Sequence, residues 1–74
     1  MSLAEALRRL RAQRYLSQAE LAAKAGISRT TIARIEAGEI VPYPRTVRKL
    51  AEALEVEPSV LAAPEELQRA KSAA

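Results

Sequence analysis

The chain has 74 residues and a net charge of +3, enough for one domain with a small core. Cysteine, histidine and aspartate are absent, which excludes disulfides, conventional zinc sites, a Ser-His-Asp triad and an aspartate dyad. Charge is unevenly placed: residues 1–50 hold ten Lys/Arg against four Glu (net +6), and residues 51–74 hold two against five (net −3), the pattern either of a basic end offered to a polyanion or of scattered solvated charge.

Abundant Ala, Leu, Arg and Glu without β-branched alternation predict an all-α chain. Ser2 followed by Glu5 has capping-box spacing, and Leu3, Ala6, Leu7 and Leu10 then repeat at helical intervals, which predicts a first helix to about Arg14. Its arginines Arg8, Arg9 and Arg14 read as a solvated face. The N-terminal MSLAEALRRL carries its charges inside the amphipathic pattern, so no signal peptide is expected. Apolar runs are too short to span a bilayer, and a cytoplasmic location is the default expectation.

A second helix follows Ser17, with Glu20 completing another capping box, Leu21, Ala22 and Ala25 on one face, and Gly26 as its stop. The third begins after Ser28, buries Ile32 and Ile35 and stops at Gly38. It opens differently. Thr31 replaces the expected glutamate, and Arg29 occupies the first helical position, where a cation opposes the helix dipole at a cost of a few tenths to about 1 kcal/mol. The stretch EIVPYP reads as a loop, and Pro44 suits the first position of a fourth helix burying Val47, Leu50, Ala51 and Leu54. Pro58 opens a short fifth helix through Val60 and Leu61. Residues 64–74, PEELQRAKSAA, have only Leu67 as a large apolar side chain and read as a tail or a short extra helix. The expected organisation is a domain over 1–62 and a tail over 63–74.

Two short helices joined by a tight glycine turn are a helix-turn-helix candidate. The segments SQAELAAKAGISRTTIARIEAG and TVRKLAEALEV make the pattern specific: together they resemble the Cro and phage-repressor (C1-type, xenobiotic-response-element-like) helix-turn-helix family. The resemblance covers about residues 3–61. It implies a compact, lambda-repressor-like bundle of five short helices, with the helix-turn-helix at helices 2 and 3.

It also implies roles. Helix 3 is the recognition helix, with Arg29, Thr30 and Arg34 as base readers, and an arginine can donate two bonds to guanine O6 and N7. A glutamate at position 31 would repel phosphates, so the unusual helix start suits DNA better than it suits the helix. Gln18, Ser28, Thr31, Arg45 and Tyr43 are the phosphate candidates, with Arg48 and Lys49 weaker ones. Arg11 and Glu36 are expected to form a structural ion pair. Departures from the family pattern are Tyr15 and Glu55 where glycine is usual, Tyr43 in place of a serine cap, and Glu39, Ile40 and Val41 in a loop that is commonly basic.

The expected function is that of a sequence-specific DNA-binding transcriptional regulator, a repressor binding an inverted-repeat operator in double-stranded DNA as a homodimer. The acidic C-terminal part is the candidate dimer surface. No catalytic residue, cofactor, metal or membrane association is expected. The alternative is a protein–protein interaction module or antitoxin-like partner on the same fold, with a protein partner in place of DNA; the acidic end, Ile40, Val41 and the tail favour it a little.

Overall fold

A computed structural model describes residues 2–61 as five helices: α1 (Leu3–Gln13), α2 (Gln18–Ala25), α3 (Arg29–Glu36), α4 (Pro44–Leu54) and α5 (Pro58–Leu61). The expected tail at 63–74 lies outside the described residues. Each of the first three helices starts where a serine hydroxyl accepts a backbone N–H three residues on: Ser2 from Glu5, Ser17 from Glu20 and Ser28 from Thr31. In α1 and α2 the glutamate reaches back to the serine N–H, closing a reciprocal box. The α3 start closes differently: the Ser28 and Thr31 hydroxyls share a 2.8 Å hydrogen bond, and no carboxylate reaches back to the Ser28 N–H. Helix α4 has no side-chain cap, and Pro44 begins it by fixing φ and lacking the N–H that needs one.

The helix ends follow one scheme. Four times the chain turns through a left-handed residue, and the next residue's N–H bonds back to a carbonyl five residues earlier: Leu16 to Arg11, Ile27 to Ala22, Glu39 to Arg34 and Val56 to Ala51. Gly26 and Gly38 are two of the turning residues; Tyr15 (φ 56°) and Glu55 (φ 60°) are the others. The expected helix ends therefore close through left-handed residues even where glycine is missing. A side chain in that region costs on the order of 1 kcal/mol, which the following residue offsets by packing. Leu16, Ile27 and Val56 all lie against the core. Glu39, in the corresponding place after α3, cannot.

The core joins all five helices through Leu7, Leu21, Ile32, Ile35, Val47, Leu50, Leu54 and Leu61, with Leu3, Leu10 and Ile40 packed around it. α3 packs on α1 and α2, α4 packs on α2 and α5, and α5 closes on α1. With a core this small, truncating Leu7 or Leu50 to alanine should cost about 2–5 kcal/mol, comparable with the stability of the whole domain.

A second layer of order comes from α1. Arg8, Arg11 and Arg14 fall at three-residue intervals on one helix face and reach backbone carbonyls beyond α1. Arg8 Nη1 donates to the Glu36 carbonyl at the end of α3, Arg11 Nη1 to Leu16 O at 2.8 Å, and Arg14 Nε to Leu54 O at 3.1 Å, at the end of α4. This corrects the reading of Arg8 and Arg14 as merely solvated. Helix C-termini expose unpaired carbonyls and carry partial negative charge, so the guanidinium groups of Arg8 and Arg14 are well placed at the ends of α3 and α4. Arg9 remains exposed.

Candidate nucleic-acid interface

Helix α3 is held from behind. Ile32 and Ile35 are fully or almost fully buried, and Glu36 is only 4% exposed. Arg11 Nε and Nη2 donate to the two Glu36 oxygens at 2.7 and 3.1 Å, and Gln18 Nε2 donates to Oε1 at 3.1 Å. One carboxylate thus ties α1, the start of α2 and the end of α3 together. The hydrogen bond to Glu36 raises the Arg11 pKa above its ordinary value. A buried charge is tolerable only when its partners are this complete.

The outward side of α3 carries Arg29, Thr30 and Arg34, all exposed. Arg29 stands at the first helical position, and neither it nor Thr30 has a partner among the described residues. Arg34 is different: its Nε lies 3.4 Å from Glu39 Oε1, with side chains 54% and 59% exposed. Thr31 is half-buried, its hydroxyl engaged with Ser28. Gln18 is also half-buried, and only one of its two amide hydrogens is used by Glu36.

The loop after α3 divides its apolar residues. Ile40 turns in against the core, Pro42 is buried, and Val41 stays exposed. The Tyr43 ring lies 5.0 Å from the Arg45 guanidinium carbon, a cation–π stack at the entrance to α4. Arg45, Arg48 and Lys49 are exposed on α4. Sequence reasoning missed Arg8 and Arg14 as helix-end ligands, although their spacing with Arg11 was visible. It noted Glu39 but not its pairing with Arg34. The described residues contain no group of acidic side chains able to hold a metal ion, and no helix among them is long and apolar enough to cross a membrane.

Two helices at a glycine turn, the second offering its polar first turn outward, occur in several architectures; comparison with known proteins is decisive here. Residues 7–61 match the HTH_3 helix-turn-helix family. The chain belongs to this family. HTH_3 proteins are DNA-binding transcriptional regulators and not enzymes. The HTH-type transcriptional repressor RghR of Bacillus subtilis (strain 168) is 48% identical over 56 residues, which cover 74% of this chain and 42% of RghR, so this chain spans less than half of that relative. Among solved structures, the restriction-modification controller protein C.AhdI from Aeromonas hydrophila is 36% identical with a TM-score of 0.78, over 80% of this chain and 89% of that one. The DNA-binding domain of the P22 c2 repressor gives a TM-score of 0.81 at 26% identity, over 88% of this chain and 86% of that one. The match to HTH_3 and these neighbours also establish the lambda-repressor-like five-helix architecture.

Proposed function

We propose that this chain binds a specific inverted-repeat operator as a dimer, inserting α3 into the major groove, and acts as a repressor. The observation that carries the reading is the first turn of α3: Arg29 and Thr30 are exposed, have no partner among the described residues, and sit on a helix start with no acidic residue. Arg29 donates to a guanine edge, Thr30 contacts the neighbouring base, and Arg34 reaches a further one. Gln18 gives its second amide hydrogen to a phosphate at the α2 N-terminus, where backbone amides also point outward. Ser28 and Thr31 contribute through the lone pairs and proton their mutual bond leaves free, a smaller share than that of Gln18. Tyr43 and Arg45 act as one unit, the ring holding the guanidinium toward the backbone of the duplex.

The reading takes two copies because each carries one α3, and the two halves of an inverted repeat need two recognition helices about 34–36 Å apart, more than the 30 Å span of the described residues. RghR is named as a transcriptional repressor, and this supports repression as the outcome of binding.

The test is selection of binding sites from random duplex DNA with the 74-residue chain at physiological salt. An enriched inverted repeat is the expected result. A single enriched half-site would remove the dimer and keep the reader; no enrichment would remove the base-reading role of α3. A salt titration separates this reading from the interaction-module alternative, because several phosphate contacts give a steep logarithmic slope and a protein-only module gives none.

A further inference from the structure

Glu39 is the lone exposed carboxylate between Ser28 and Lys49, a stretch that otherwise exposes Arg29, Arg34, Arg45, Arg48 and Lys49; Glu36, the other acid there, is buried on Arg11. Its place is set by the backbone. After Ala37, Gly38 turns through φ 76°, its N–H bonds to Ile35 O at 3.0 Å, and the Glu39 N–H bonds to Arg34 O at 3.0 Å. This helix-ending motif lays the side chain at 39 over the one at 34. At the other three helix ends the same position holds an aliphatic residue, Leu16, Ile27 or Val56, packed on the core. Only after α3 is it charged, and only there does it meet a cation on the exposed side of the helix.

Resting on the DNA-binding reading above, we infer that Glu39 is an intramolecular competitor for Arg34 that lowers affinity for arbitrary DNA. Its carboxylate occupies the guanidinium edge that would otherwise go to a phosphate or base, 3.4 Å from Nε. Both groups are more than half exposed, so the pair is weak and exchangeable. Arg34 leaves Glu39 where the duplex presents a well-placed acceptor and stays with it elsewhere. Where Arg34 stays paired it adds no contact to DNA. Where it leaves, the free energy of the pair is subtracted from what it gains, so the pair lowers affinity for DNA generally by at most its own small worth.

The test uses the 74-residue chain, its Glu39→Gln, Arg34→Gln and double variants, and a random-sequence duplex about three helical turns long as the probe. Glu39→Gln should tighten binding about 2–5-fold at 0.1 M salt, the range an exposed pair is worth, and steepen the salt slope by about 0.9, one more phosphate neutralised. In the Arg34→Gln background the same change should alter affinity less than about 2-fold. Glu39→Leu, which restores the aliphatic residue of the other three helix ends, should give the same gain without loss of melting temperature. An unchanged or weaker Glu39→Gln, or an equal gain without Arg34, overturns the inference; the latter would mean that Glu39 acts only by general repulsion. Wild-type binding that ignores salt fails earlier and separately: it removes the DNA-binding reading and this inference with it.

Discussion

Arg29 opens α3 against the helix dipole, so its removal separates folding from recognition by sign. Arg29→Ala should leave the melting temperature unchanged or slightly raised, because the unfavourable dipole contact of a few tenths of a kcal/mol disappears. On the proposed reading it should also relax preference at one base pair by about 1–3 kcal/mol. Site selection with the variant measures this, and an unaltered consensus would sink the assignment. Glu36 should behave oppositely. It is 4% exposed and serves Arg11 and Gln18 at once, with Arg11 22% exposed at its open side. Glu36→Ala strands the guanidinium and frees the end of α3, at a cost of about 3 kcal/mol. For a domain of this size that is a fall of roughly 12–24 °C in melting temperature. DNA binding per folded molecule should fall much less. A variant that melts with the wild type would show that the pair contributes nothing to the fold.

Among the elements, the helix ends hold the clearest unused stability. Tyr15 is 94% exposed at φ 56°, so glycine there relieves backbone strain and loses no burial. Tyr15→Gly and Glu55→Gly should each stabilise by about 0.5–1 kcal/mol, strain relief exceeding the extra entropy glycine gives the unfolded chain. Gly26→Ala should destabilise by a similar amount, since a Cβ there would meet nothing within 4 Å and strain alone remains. Thermal melts of the three variants test the set together. The helix starts respond to pH instead. The Ser2 and Ser17 backbone N–H groups, then their hydroxyls, hold Glu5 and Glu20 below the ordinary glutamate value of 4.5. A depressed folded pKa means the contribution is complete above 4.5 and is lost as pH falls through the lower folded value. The fall in melting temperature between neutral and acid pH should therefore shrink in a Glu5→Gln, Glu20→Gln double variant. These caps were legible in the sequence because both partners lie within three residues. The left-handed Tyr15 and Glu55 were legible only as missing glycines, because what offsets their strain is the packing of Leu16 and Val56. Arg8 and Arg14 were not legible as helix-end ligands, since their acceptors are backbone carbonyls 28 and 40 residues along the chain. In the candidate site, the exposure of Arg29 and Thr30 followed from local helix geometry. The engagement of Gln18 by Glu36 required the tertiary fold.

At the scale of the whole molecule, the proposed two-part operator requires two copies of a body whose described residues span 30 Å. Charge supports the proposed arrangement: the basic residues Arg29, Arg34, Arg45, Arg48 and Lys49 lie on α3 and α4, while the sequence from residue 51 to 74 carries a net −3. Val60 is 51% exposed on α5, beside the fully packed Leu61, and is the large apolar side chain this end leaves open among the described residues. If this end forms the proposed dimer contact, Val60→Glu should weaken pairing and leave the fold alone, because a half-exposed substitution shifts stability by only about 0.5 kcal/mol. Sedimentation of the 74-residue chain with an inverted-repeat duplex should then give two chains per duplex for the wild type. The variant should load one chain at a time, with an affinity for an isolated half-site equal to that of the wild type. Equal half-site affinity is the informative control, since it shows that α3 still reads DNA and that only the link between copies is lost. If Val60→Glu assembles on the inverted repeat as the wild type does, the dimer contact lies elsewhere. If it loses half-site binding too, Val60 supports the fold rather than the pairing.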